Sequence, residues 1–397
     1  MKKLTIFLSL IVLASCAVVP PTISMSSAPK WAKHGDLKWR QQAIYKMWEE
    51  RKLMDHTPLV KYEIPGMADV ELIFKDESAS RTGNLKHRFS WTLFMWALVE
   101  GHIDQNTTVF ESSSGNTATS EAYMARLIGV PFVAVIPETT EMTKISKIQS
   151  YGGQVLKTDI SSQFEKAASE AVKQNGFYIN QFANAHRAEE YHESGNEKLE
   201  STNVMHEVLQ QLRAEGLTEP DFFVHTSGTG GTISSIGRYV QKYELKTEVV
   251  LADTEFSIYY DYVINGAFKN VSGAHLWIKP GMAGTGFGYS GPAILGRTTS
   301  LQPSIINRAY KVPDLASTAA MHVLKESGIS GGTSTGLNFV TCLSLAAKER
   351  QHKKKEKLQI VTILADSADL YESSYYNLTW IESKFAPHGG LPVFNCW

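Results

Sequence analysis

The chain has 397 residues, with 39 Lys and Arg against 40 Asp and Glu (net charge −1), 43% apolar residues and 20% charged. That length favours two packed domains. The ordinary composition excludes wholesale disorder and fibrous repeats, and the balanced charge argues against non-specific binding to nucleic acid or anionic membrane.

The N-terminus is set aside first. Lys2 and Lys3 precede an apolar run from Leu4 to Leu13, closed by Ala14, Ser15, Cys16 and Ala17. A basic start, a core of about ten residues and small residues at its end describe a signal peptide over residues 1–17; a bilayer span needs ~20 apolar residues. Leu13-Ala14-Ser15-Cys16 also resembles a lipobox, so a lipidated Cys16 is the one membrane attachment expected. Export as a periplasmic, lipidated or secreted protein follows, with a cytoplasmic location as the alternative if the segment is not a working signal. Residues 18–30 read as a linker rich in Ser and Pro. Residues 31–54 read as a helical extension, with Trp39, Ala43, Met47 and Trp48 at helical spacing, docked on the main body or free for a partner.

Beyond Thr57, short β-branched runs alternate with helical patterns. Strands are expected at 70–74, 107–110, 131–136 and 154–157, and helices at 89–100, 117–128, 142–151 and 164–174. After a polar helical stretch over 185–215, the alternation restarts at 221–225, continues through 232–241 and 248–252, and ends near 359–364. Strand–helix alternation specifies parallel sheets covered by helices, hence an α/β fold of two domains. The expected boundaries are 55–195 and 196–385, with a tail at 386–397. The cleft between the domains is the default ligand site, since open α/β sheets bind ligands beyond their strand ends.

Four clusters of Gly, Ser and Thr carry the chemistry. Gly228-Thr229-Gly230-Gly231-Thr232 follows a strand and opens a helix, where backbone N–H groups and the helix N-terminus suit a phosphate. It matches neither the Walker A spacing nor Gly-x-Gly-x-x-Gly, so a singly phosphorylated cofactor fits better than a nucleoside triphosphate. Taken alone, it also suits a plain strand–helix turn. Ser113-Ser114-Gly115-Asn116-Thr117 makes a nest for a carboxylate, or an ordinary N-cap. Gly331 to Gly336 repeats the device, and Gly284-Thr285-Gly286 adds a backbone-exposing loop. Three cysteines (Cys16, Cys342 and Cys396) are too few for a disulfide framework or a cysteine-rich zinc site, and no metal is expected.

Lys86 is the candidate nucleophile. It lies in Thr82-Gly83-Asn84-Leu85-Lys86-His87-Arg88, where a loop runs into the apolar helix. A partly desolvated amine beside helix N-terminal dipoles has its neutral form favoured; a surface lysine at a helix start is the plainer reading.

Taken in order, these motifs resemble the cysteine synthase/cystathionine β-synthase family of pyridoxal-phosphate (PLP) enzymes, fold type II, from about His56 to Tyr371. The matching stretches are His56 to Val60, the lysine loop, Ser114 to Thr117, Gln181-Phe182, Gly228 to Thr232 and Gly332 to Gly336. The resemblance implies that Lys86 forms the Schiff base with PLP and that Gly228, Thr229, Gly230, Gly231 and Thr232 bind its phosphate. It implies that Asn116 contacts the phenolic oxygen and that Ser334 faces the pyridine nitrogen. Ser113, Ser114, Gly115, Thr117, Gln181 and Gly284 then form the substrate site, with Ser114, Thr117 and Gln181 on the amino-acid carboxylate. A homodimer is also implied.

The chain departs from the family at Asn84 and His87, where Ser and Asp usually flank the lysine. Lys75 to Ser78, Leu85 to Arg88 and Ser120 to Tyr123 are closer to a divergent bacterial branch described as L-cysteine desulfhydrases. The resemblance therefore implies β-elimination of L-cysteine to hydrogen sulfide, pyruvate and ammonia. Cysteine synthesis from O-acetylserine is the alternative, and an inactive amino-acid-binding protein on the same fold is a third. Asn84 and His87 are expected to set the polarity beside Lys86, and Phe256 to Tyr262 to line the cleft mouth.

Overall fold

The computed structural model describes residues 36–189, 202–266, 281–287, 299–351 and 357–397. The expected signal peptide, Cys16 and the linker lie outside the described residues. The first helix, α1 (Asp36–Lys52), is followed by β1 (Leu59–Tyr62), β2 (Val70–Asp76) and α2 (Lys86–Val99). A first alternating run comprises β3 (Val109–Ser112), α3 (Asn116–Ile128), β4 (Phe132–Pro137), α4 (Met142–Ser150), β5 (Gln154–Thr158), α5 (Gln163–Lys173) and β6 (Phe177–Tyr178). Helices α6 (Gln181–Glu189) and α7 (Val204–Ala214) lead to the second run. That run contains β7 (Phe222–Thr226), α8 (Gly231–Lys242), β8 (Glu248–Thr254), α9 (Tyr259–Asn265) and β9 (Arg308–Val312). It continues through α10 (Asp314–Glu326), α11 (Thr333–Gln351) and β10 (Leu358–Leu364), and the chain closes with α12 (Leu378–Phe385) and α13 (Gly390–Phe394).

Two sheets result. The smaller has the order β5-β4-β3-β6 and is parallel throughout. The larger has the order β1-β2-β10-β7-β8-β9 and is parallel except for the antiparallel edge strand β1. β7 and β10 are buried almost end to end, which is why they read as near-continuous apolar runs. Apolar clusters cover both faces of the larger sheet, one through Ile236, Tyr259 and Val361, the other through Leu72, Leu337 and Ile360. Each such fully buried side chain contributes roughly 1.5–3 kcal/mol.

Two expected boundaries are corrected. β1 and β2 belong to the larger sheet, because β2 runs parallel to β10 with Leu72 opposite Ile360 and Phe74 opposite Thr362. Leu72, Ile73 and Phe74 are all fully buried, so β2 needs a neighbour on each side and cover on both faces, and only this sheet provides them. Residues 59–76 therefore do not belong with 109–178, and the 55–195 domain breaks at its start. The 386–397 tail is folded: Phe394 packs with Leu315, Met321 and Ile381.

The helical extension docks on the main body. Ala43, Ile44 and Met47 are buried against α2 and α3, and Trp91 Nε1 donates to the Met47 carbonyl at 2.5 Å. Glu50 of α1 is buried, accepts from the Tyr123 hydroxyl at 2.7 Å, and lies 3.2 Å from Arg81 and 3.3 Å from His87. Burial opposes its charge, but these partners hold its pKa below the ordinary carboxylate value.

Candidate active site

Lys86 is the first residue of α2, three residues earlier than periodicity placed that helix. The early start has a local cause. Asn84 Oδ1 accepts from the Lys86 backbone N–H at 2.9 Å, as a capping residue does, and its amide donates to the Thr82 carbonyl. Ser120 of α3 donates to the same Oδ1 at 3.1 Å, and the Leu85 N–H bonds the Ala365 carbonyl. The lysine turn is thus tied to both halves of the molecule. Arg88, two residues on, bridges Glu77 and Glu207 with contacts of 2.7–3.0 Å and fixes the first turn of α2.

Asn84 is fully buried and His87 turns toward Glu50 and Tyr123, so both support the lysine turn. Burial lowers the Lys86 amine to about 8, with the nearby Asp366 carboxylate opposing the shift. His225, at the end of β7, is also buried, and burial reinforced by the charge of Lys86 lowers it to about 3, so it is a neutral imidazole.

The glycine loop leaves β7 and enters α8. Gly230 is the N-cap with φ +91°, where a side chain would be strained, and no side chain caps the helix. A β-carbon at Gly228 would stand 2.6 Å from the Gly284 carbonyl, and one at Gly231 2.9 Å from Ala185. The loop's carbonyls are engaged from behind: Gly228 accepts from the Tyr259 hydroxyl at 2.8 Å, and Thr229 from the Ser300 N–H at 2.7 Å. The Gly231 N–H reaches the Thr229 hydroxyl at 3.4 Å, and the remaining N–H groups at the start of α8 make an arrangement suited to an anion. Tyr259 is fully buried beneath this loop, which corrects its expected place at the cleft mouth.

The 113–117 loop stands at the head of α3. Ser113, Ser114, Gly115 and Asn116 are partly exposed, whereas Thr117 is buried and donates to Gln181 Oε1 at 2.6 Å. Beneath them Glu111 accepts from the Ser112 N–H at 2.6 Å and the Gln181 N–H at 2.8 Å, which joins loop and glutamine into one frame. Burial pushes Glu111 up to about 8, and burial with the charge of Glu111 raises Glu121 well above the ordinary carboxylate value. Ser334 lies half-buried in the first turn of α11, and the Thr333 hydroxyl donates to the Ala283 carbonyl at 2.6 Å. Gly284 offers open space above its α-carbon at φ +78°.

Asn116 Nδ2 donates to Asp366 Oδ2 at 2.7 Å, and the backbone of Asp366 pairs with Asn84. The lysine turn, the 113–117 loop and the 331–336 loop therefore meet at the end of β10. Sequence reasoning missed Asp366, His225 and Glu111. All three stand at the C-terminal ends of strands, where parallel sheets place ligand-binding groups, and that position was the available signal.

The chain matches the model of the family described as pyridoxal-phosphate dependent enzyme over residues 51–366. It is 45% identical over 407 residues to a Caenorhabditis elegans protein named for a provisional pyridoxal-phosphate dependence, covering 100% of this chain and 94% of that one. It is 36% identical over 352 residues to an L-cysteine desulfhydrase of Mycobacterium tuberculosis, covering 87% and 90%. Among solved structures, a hydrogen sulfide-producing enzyme from Fusobacterium nucleatum superposes with a TM-score of 0.64 at 25% identity, covering 81% and 98%.

Proposed function

Because the chain belongs to the pyridoxal-phosphate dependent enzyme family, we propose that it eliminates the β-thiol of L-cysteine, releasing hydrogen sulfide, pyruvate and ammonia. The observation that carries the reading is Lys86: a half-buried amine, lowered to about 8, at the seam of the two sheets, in a turn tied to the larger by the Leu85–Ala365 backbone bond and to α3 by the Ser120–Asn84 side-chain bond. The relatives named for cysteine desulfhydration and sulfide production support the choice of substrate.

The residues present fit PLP. The uncapped N-terminus of α8, with glycines where a β-carbon would collide, suits its phosphate, and Lys86 would be its covalent anchor. Asn116 would meet the ring's oxygen and Ser334 its nitrogen. Bound there, the cofactor supplies an electron sink for the bonds at the α-carbon.

The chain's own groups do the rest. The N-terminus of α3, with the hydroxyls of Ser113 and Ser114, would hold the amino-acid carboxylate, and Glu111 keeps Gln181 against that loop. Lys86 Nζ, poised near neutrality by burial, would take the α-proton as general base. Ser334, a hydroxyl rather than a carboxylate, would hold the ring nitrogen without fully protonating it, which would suit loss of a β-substituent.

The test is a product balance. The PLP-loaded protein is incubated with L-cysteine alone, then with O-acetylserine and sulfide, and pyruvate and cysteine are quantified. Equal sulfide, pyruvate and ammonia from L-cysteine, with slower cysteine formation, are expected. Rapid cysteine formation with negligible pyruvate would replace elimination by synthesis.

A further inference from the structure

We propose that Asp366 is a positioning residue of this site, orienting the Asn116 amide and setting the charge that Lys86 faces; the proposal rests on the cofactor reading above. Asp366 lies two residues after the last residue of β10 and is 1% exposed. Its Oδ2 accepts from two donors at once, Asn116 Nδ2 and the Tyr371 hydroxyl, each at 2.7 Å. Its Oδ1 has no hydrogen-bond partner among the described residues and lies against Gly332, where a β-carbon would collide with it and with the Tyr371 ring.

The carboxylate is held by backbone as well as by side chains. Asp366 pairs with Asn84 in an isolated bridge, and Ala365 accepts from the Leu85 N–H at 2.8 Å. Its distance from the lysine turn is therefore set by the sheet. Asn116 belongs to α3 over the smaller sheet and Asp366 to the end of a strand in the larger one, so their bond crosses the seam.

An amide nitrogen carries two hydrogens. With one committed to Asp366, the direction of the other, and of the amide oxygen, is fixed. Burial raises the Asp366 carboxyl above its ordinary value, and the donors Asn116 and Tyr371 with the charges of Lys144 and Lys147 oppose that shift. The groups that face it are Lys86 of α2, Lys144 and Lys147 of α4, and the phenols of Tyr371 and Tyr376. Its charge acts on Lys86 in the sense that keeps the amine protonated.

The experiment uses the full chain, wild type, Asp366→Asn and Tyr371→Phe. Visible absorption of the PLP-loaded protein is titrated with pH, and Lys86 in the cofactor-free protein is titrated by acylation and peptide mass analysis. Asp366→Asn keeps the shape and removes the charge. Both midpoints are expected to fall by about one pH unit, the size of shift an adjacent charge gives. Tyr371→Phe, which leaves the Asn116 bond in place, moves them less. A wild type that binds PLP while Asp366→Asn leaves both midpoints unmoved overturns the proposal alone. A wild type that binds no PLP overturns the cofactor reading, and the proposal with it.

Discussion

The two sheets hold their loops by different means. In the larger sheet the glycine loop is shaped by backbone: Gly230 at φ +91°, neighbours closer than a β-carbon allows, and carbonyls satisfied by Tyr259 and Ser300. The loop's direct supports are a buried hydroxyl and a backbone N–H. In the smaller sheet the 113–117 loop rests on buried acids. Glu111 accepts from the N–H groups of Ser112, just before the loop, and Gln181, beside it, and neither oxygen of Glu121 nor the Tyr178 hydroxyl finds a hydrogen-bond partner among the described residues. The 228–232 loop is thus held by backbone and a hydroxyl, and the 113–117 loop stands beside acids whose charge depends on pH.

Lys86 belongs to neither frame alone, and Lys86→Ala should have the largest effect. Loss of the base by itself costs ~10²–10⁴ in turnover, and loss of the anchor adds to it. Steady-state turnover of the PLP-saturated variant checks this; activity within about tenfold of wild type would remove Lys86 from the chemistry.

Gly230→Ala sharpens the contrast on the side of the larger sheet. The left-handed φ alone costs about 1–2 kcal/mol for a residue with a β-carbon. That carbon would also strike the backbone of Leu301, so the loop must move. PLP affinity should fall tenfold or more by spectroscopic titration, with the exchange protection of the smaller sheet unchanged. Equal loss of protection in both sheets would break the comparison.

The smaller sheet supplies the subtlest prediction. Glu111 has a folded pKa of about 8 against an ordinary 4.5. A carboxyl raised in the fold contributes most below its unfolded pKa, and that contribution is lost as pH rises through the folded one. Amide protection in β3 and β4 should therefore decline between about pH 4.5 and 8. Glu121→Leu, which removes an unpartnered buried acid, should gain about 1–3 kcal/mol at the alkaline end and flatten the profile. A flat wild-type profile would show these acids to be satisfied by other means.

Strand–helix alternation was legible because runs such as Leu358–Leu364 and Phe222–Thr226 are buried on both faces and so mostly apolar. The partner of β2 was not, since periodicity marks a strand and carries nothing about its neighbours in the sheet. The glycine loops and Lys86 stood out as residue types in an unusual local order. Asp366 did not: one aspartate after a strand is common, and only the bridge to Asn84 and the bond to Asn116 give it meaning.

The central claim is that Lys86, at the seam of the two sheets, anchors the cofactor. Borohydride reduction of the PLP-loaded protein, followed by peptide mass mapping, tests it most directly. A phosphopyridoxyl group is expected on the peptide containing Lys86 and none elsewhere at comparable yield. A reduced adduct on another lysine, or no adduct in a protein that retains its cofactor band, would contradict it.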